Sequence, residues 1–358
     1  MEHISQAVAA LQAHGLESAV IQSPADLLYC TGLSISTGTF LVGKETSILF
    51  LDGRYYELAK QKLSCEVVLL KQPNDLFIEL KKAFSFIAGN IGFNPTLMSV
   101  AMHEKIAACC GGKHAFIAAP AYYSMLRRKK DAHEIQAITQ ACELCEKGLN
   151  FLLEEIRPGV TEKALASKLK AFWFEHGAQA VSFEPIIAFD CNCSIPHWSP
   201  TEVQLKEQGT ILIDIGVQLD NYHSDMTRMV FFGPPDSELE KCYEIVLGAY
   251  EKAFSFAAPG VTPHHLDSIA REYITAKAYG NFFVHGLGHG VGLEVHEPPK
   301  LTYTAPSEAP LEAGDVFTLE PGIYLPGRGG VRLENTILLE PQGARSLISF
   351  STDPILLP

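Results

Sequence analysis

FFVHGLGHGVGLEVHE, residues 282–297, is the stretch on which the reading of this chain turns. Three histidines, His285, His289 and His296, fall close together, and Gly286, Gly288, Gly290 and Gly292 separate them. Glycine tolerates positive φ and lets backbone or ligand approach closely. The segment is therefore a tight, backbone-controlled path that aims imidazoles, not a helix carrying a histidine stripe. An isolated histidine is an ordinary core or surface residue. Three among four glycines, with Glu294 and Glu297 beside them, mark a metal or catalytic site.

Working outward, four acids stand in apolar, strand-like settings. Asp214 lies inside ILIDIGV, residues 211–217. Alternation puts Ile211, Ile213, Ile215 and Val217 on one face, and Leu212, Asp214 and Gly216 on the other. The chain turns near 219–221 and returns through HSDMTRMVFF, which brings Asp225 onto the neighbouring strand within reach of Asp214. Glu320 sits in FTLEPGIYL and Glu334 in VRLENTILL. A buried carboxylate is unfavourable unless paired or bound to metal, and Arg228 and Arg332 are too few cations to pair all four. Four carboxylates and an imidazole suit two divalent cations. Oxygen-rich sites favour manganese, and the imidazole admits iron, cobalt or zinc. Such a pair activates a water and stabilises a developing oxyanion.

Around this constellation a duplication is legible. Helical patterns run over 131–155 and from Thr161 to His176, and again from Ser237 to about Ala257 and onward to Ala278. PGVT stands between the helices of each pair, at 158–161 and at 259–262, with the threonine placed to N-cap the second helix. Strands follow each pair, so residues 126–358 read as two similar α+β halves with a site at their join. Residues 1–125 alternate differently. Helix is expected over 4–14, 57–63, 75–88 (N-capped by Asn74 or Asp75) and 102–110. Strands are expected at 19–21, 65–70 and 91–93, with a hairpin turning at Gly43-Lys44-Glu45. This is a mixed α/β domain without a concentration of catalytic residue types.

With 358 residues, two domains are the first expectation. The 28 basic and 41 acidic residues give a net charge of −13, which leaves no electrostatic footprint for nucleic acid or an anionic membrane. The one basic run, residues 127–130, reads as a solvated helix start at the domain junction. The N-terminal sequence MEHISQAVAALQAHGLESAV lacks the pattern of a secretion signal, and no apolar run reaches the length of a membrane span. Nine scattered cysteines, including the lone CxxC of Cys142 and Cys145, read as reduced thiols of a cytoplasmic protein.

The ordered set IDIG, SDMTR, HGLGHGVGLEVHE, LEPGIY and GVRLENT, within residues 180–340, resembles the pita-bread metallopeptidases. That family includes aminopeptidase P, prolidase and methionine aminopeptidase. YCTG, LDGRYYE and the junction LRRKKDAHEI resemble the first two, which carry a creatinase-like N-terminal domain. The resemblance implies α+β architecture: that domain, then a pita-bread catalytic domain with pseudo-twofold duplication. It implies Asp214, Asp225, His289, Glu320 and Glu334 as ligands of two metals, with Asp225 and Glu334 bridging or chelating and His289 on one metal only. His197 in SIPHWSP, His285 and His296 match substrate-side positions, with His296 stabilising the tetrahedral intermediate. Arg332 matches a residue of that side that also holds a metal-binding acid in place.

The implied reaction is removal of an N-terminal residue preceding proline by a metal-bridging hydroxide, with Glu320 relaying the proton. The alternative is a dipeptidase of the prolidase kind; a distant one is a non-catalytic peptide-binding protein on the same fold. Proline suits such a pocket because it lacks an N–H and has fixed φ. A homodimer is also implied. One departure stands out. The family has glycine after the histidine matched to His197, whereas this chain has Trp198. The indole either reshapes the pocket floor or is a surface or interface aromatic, and it bears on substrate preference rather than on metal binding.

Overall fold

A computed structural model describes residues 2–87, 89–304 and 309–358, and the chain divides into two compact units, 1–127 and 128–358.

The first unit is built on a six-stranded mixed sheet. Its strands are β1 (Ser18–Ile21), β2 (Thr39–Gly43), β3 (Ile48–Asp52), β4 (Glu66–Leu70), β5 (Ile91–Phe93) and β6 (Phe116–Ala118), in the order β4-β3-β2-β1-β5-β6. β2 and β3 form the expected hairpin, with Leu41 opposite Ile48. Helices α1 (Glu2–Ala13), α2 (Pro24–Thr31), α3 (Tyr56–Lys62), α4 (Asp75–Phe84), α5 (Val100–Cys109) and α6 (Pro120–Leu126) complete it. α4 ends sooner than its periodicity suggests, and neither expected residue caps it through its side chain. Asn74 makes no such bond, and the Asp75 carboxylate accepts instead from the backbone N–H groups of Lys71 and Gln72. Residue 88, the end of that expected helix, lies outside the described residues. α2 was not anticipated, although Ser23 capping ahead of Pro24 is a start signal.

In the second unit the same construction is made twice. α7 (Ala132–Glu155) begins with a capping box, Asp131 with Glu134, and is followed by α8 (Glu162–Glu175), capped by Thr161. Then come β7 (Ala180–Val181), β8 (Ile186–Phe189), β9 (Gly209–Ile215), β10 (Val217–Leu219), β11 (Tyr222–His223) and β12 (Met226–Phe232). α9 (Ser237–Phe256) and α10 (Pro263–Ala276), the latter capped by Thr262, open the second copy. Its strands are β13 (Gly288–Gly290), β14 (Glu297–Leu301), β15 (Val316–Leu319), β16 (Gly322–Leu325), β17 (Gly329–Arg332), β18 (Asn335–Glu340), β19 (Gly343–Ser346) and β20 (Ile355–Leu357). The PGVT turns are held alike. Gly159 and Val160 exchange backbone bonds with Leu205, and Gly260 and Val261 do so with Leu311.

Two sheets carry the site: β20-β12-β9-β8 and β14-β13-β15-β18-β19. β9 pairs antiparallel with β12 and β15 with β18, so the acid-bearing strands correspond between the copies. Thr227 and Glu334 form a bridge that joins the two sheets. Arg228 strengthens the join. It is wholly buried and donates to the carbonyl oxygens of Thr227, Glu334, Phe350 and Ser351 and to Asn335 Oδ1. The turn at Asp220-Asn221 takes positive φ at both residues, a conformation that Asp and Asn tolerate.

The basic run at the junction is not a solvated helix start. Arg128 is buried and paired with Asp315 at 2.7 Å, and Lys130 is buried and paired with Glu297 at 2.6 Å. No helix among the described residues is long and apolar enough to cross a membrane.

Candidate metal centre

Five positions in or beside strands deliver the acid–imidazole constellation. Asp214 lies on β9, Asp225 immediately precedes β12, His289 is the middle residue of β13, Glu320 follows β15, and Glu334 precedes β18. The register sets Thr227 opposite Asp214, which brings the flanking Asp225 beside it. His289 Nε2 lies 3.4 Å from Glu320 Oε1 and 3.7 Å from Asp225 Oδ2. Ligand atoms of Asp225, His289 and Glu334 all lie within 4.8 Å of one another.

The glycines of the opening segment make this approach possible, and they do so without positive φ. A Cβ on Gly288 would stand 2.1 Å from the Thr318 carbonyl oxygen, and one on Gly290 would stand 2.2 Å from that of Pro298. β13 is thus wedged between β14 and β15, and the His289 N–H donates to Thr318 Oγ1 at 3.1 Å.

Around the acids runs a hydrogen-bonded frame. Arg332 donates to Asp214 Oδ2, to Thr227 Oγ1 at 3.0 Å and to the Tyr324 hydroxyl at 2.7 Å. Thr227 Oγ1 donates to Glu334 Oε2 at 2.7 Å, and Thr318 Oγ1 to Glu320 Oε1 at 3.2 Å. Thr227, Thr318 and Tyr324 were missed as site residues in the sequence, where they read as ordinary strand formers. Only their proximity to SDMTR, LEP and PGIY pointed to them.

Burial dominates the electrostatics. It raises the pKa of Asp225 and of Glu334 well above the ordinary carboxylate range, and each is pushed further by its acidic neighbours. Burial also raises Asp214, against the opposing charge of Arg332, and lifts Glu320 to about 8. His289 is driven down to about 3, first by burial and then by His296, so its imidazole is neutral and able to ligate. Among the described residues, buried Asp214, Asp225 and Glu334 and half-buried Glu320 thus face the guanidinium of Arg332. Among the described residues, Asp214 Oδ1 is buried without a hydrogen-bond partner, as a carboxylate oxygen that holds a cation would be. Oxygen donors with one imidazole fit divalent cations of the harder kind.

The remaining predicted residues line the same cavity, of about 850 Å³, together with Trp198, Lys300 and Thr302. His296 packs edge-on to His289 with ring centroids 4.1 Å apart, and its pKa is lowered by partial burial and by His197. His285 is held at both ring nitrogens, by the Gly286 carbonyl at 2.8 Å and the Tyr324 hydroxyl at 2.8 Å. Arg332 borders the cavity, but its three donor nitrogens all engage protein groups. Trp198 lines the cavity, in keeping with the pocket reading of this departure. It is a half-buried wall, packed on the core and donating its indole N–H to Glu162 Oε2 at 2.9 Å. Glu162 was also missed, because an acid after an N-cap threonine reads as an ordinary dipole-favoured residue.

A duplicated α+β unit with carboxylates and imidazole converging in a cavity defines a metal-dependent hydrolase. The chain belongs to metallopeptidase family M24: residues 136–341 match that family, and residues 3–128 match the Creatinase/Prolidase N-terminal domain. It therefore has the pita-bread fold and is a metallopeptidase. Among its relatives is the Xaa-Pro dipeptidase of Pyrococcus furiosus, 34% identical over 97% of this chain and 97% of that protein. Among solved structures, the Xaa-Pro dipeptidase from Bacillus anthracis is 30% identical with a TM-score of 0.92, covering 100% of this chain and 99% of that one. The X-Pro aminopeptidase from Thermotoga maritima is 34% identical with a TM-score of 0.86, covering 98% of this chain and 100% of that one.

Proposed function

We propose that this chain is a Xaa-Pro dipeptidase dependent on two divalent cations, with Asp214, Asp225, His289, Glu320 and Glu334 as their ligands. The observation that carries the reading is the buried carboxylate–imidazole cluster, with the unsatisfied Asp214 Oδ1, at a cavity large enough for a small peptide. Cations bound there supply a Lewis acid and a water made nucleophilic at neutral pH. Manganese is the proposed metal, from the excess of carboxylate oxygen.

The chain's own groups do the rest. Glu320 takes the proton from the attacking water and returns it to the proline nitrogen, two steps that one carboxylate at the site can serve. His296 donates to the developing oxyanion, and His197 and His285 border the bound peptide. Arg332 holds Asp214, and through Thr227 it also orders Glu334. A homodimer in the cytoplasm belongs to the same proposal, and light scattering of the purified protein tests its first half.

The choice of dipeptides is supported by the full-length relatives with that name and by Lys300. This residue of β14 lines the cavity, and its charge reaches His296. A cation there meets the carboxylate that a dipeptide presents directly after proline. Lys300→Met is expected to raise KM for Ala-Pro much more than it lowers kcat. A KM that stays at the wild-type value removes Lys300 from recognition. The second reading, a Xaa-Pro aminopeptidase accepting longer peptides, is favoured by the likeness to the Thermotoga maritima structure.

A further inference from the structure

We infer that Trp198 is a specificity-determining residue, a fixed apolar wall that selects large apolar side chains at the substrate's N-terminal position. The first observation is how firmly it is held. The Glu162 carboxylate, wholly buried at the first turn of α8, receives five hydrogen bonds. Oε1 accepts from the Phe189 N–H and from Asn192 Nδ2, both at 2.8 Å. Oε2 accepts from Trp198 Nε1 at 2.9 Å, from the Thr201 N–H at 2.9 Å and from Thr201 Oγ1 at 2.8 Å. Hydrogen bonds to a carboxylate are the stronger, charge-assisted kind. This clamp ties the end of β8 and the 192–201 segment to α8, so the indole edge cannot swing away.

The second observation is where the wall stands. With its N–H turned to Glu162, Trp198 packs on the core and borders the cavity beside Phe183 and Ile186. These three come from the first copy of the duplicated unit, near β9 and Asp214. Lys300 comes from β14 of the second copy. With the proline carboxylate taken to Lys300, the substrate's N-terminal side chain is assigned to this apolar wall of the same cavity, an assignment that rests on the dipeptidase reading above. A flat, rigid indole offers a large apolar area with little entropy to lose, and it rewards an aliphatic or aromatic side chain over glycine.

The test compares kcat/KM for Leu-Pro and Gly-Pro on the manganese-reconstituted enzyme, in wild type, W198G and W198Q. The wild type is expected to favour Leu-Pro, and that preference is expected to fall about tenfold in either variant. W198Q keeps a side chain of some length and so covers a W198G that fails to fold. Glu162 acts as a positioning residue. In E162Q the preference also falls, and acrylamide quenching of tryptophan fluorescence rises, because the other tryptophan, Trp173, is wholly buried. An unchanged Leu-Pro to Gly-Pro ratio in the Trp198 variants, or a kcat loss equal for both substrates, overturns the inference. Leu-Pro-Ala and Gly-Pro-Ala are run in parallel. Wild-type turnover of the tripeptides alone refutes the dipeptidase reading, while the leucine-to-glycine ratio continues to judge Trp198.

Discussion

At Glu334 the account meets its simplest check. This carboxylate is one of the three groups whose ligand atoms cluster within 4.8 Å, and Thr227 orients it. Glu334→Ala is expected to lower the bound cation per chain and to reduce activity by orders of magnitude; full stoichiometry at a normal rate refutes its assignment. A second check follows from Glu320. Its carboxyl is lifted by burial from 4.5 to about 8, so between those values the cation-free folded protein holds a proton that the unfolded chain has released. Its contribution to cation-free stability therefore declines as pH rises through that window. A bound cation displaces the proton, so the rise in Tm on adding manganese should grow from about pH 5 to about pH 8. A rise independent of pH contradicts the assignment. The acids were legible because a carboxylate amid strand-forming apolar residues is an anomaly. Arg128 and Lys130 were not. Their partners Asp315 and Glu297 lie far along the chain, and a run of four basic residues gives no sign of them.

Among the elements, β13 bears the closest constraint. An alanine at Gly288 brings its Cβ against the Thr318 carbonyl, next to the hydroxyl that meets His289 and Glu320. Gly288→Ala is expected to destabilise the protein by about 1–3 kcal/mol in urea unfolding and to weaken cation binding measured by calorimetry. Wild-type values for both contradict the wedged-strand account. The glycine spacing revealed that backbone controls this segment. It did not reveal whether glycine was needed for φ or for contact, because that depends on strands whose sequence positions are remote. The helices were read more fully. Thr161 and Thr262 cap as their local sequence indicates, while Asp131, read as the first helical residue, is itself a cap. α4 shows the limit: its periodicity continues past Phe84, where the helix stops.

Across the whole molecule, duplication explains why one site draws ligands from two sheets. Each copy contributes an antiparallel pair with acids at its ends, and the Thr227–Glu334 bridge brings the pairs together. The PGVT repeat made this legible, since it fixes the offset between copies. The identity of the bridging residues was hidden, because pairing between strands of different copies follows from packing and not from local pattern. The central claim is a cation-dependent enzyme that accepts a peptide ending at proline. Metal-stripped protein, reconstituted with manganese, should be assayed on Ala-Pro and Ala-Pro-Ala. The account predicts hydrolysis of Ala-Pro only when the cation is restored, with little turnover of the tripeptide. Hydrolysis that survives stripping, or a preference for Ala-Pro-Ala, would contradict it.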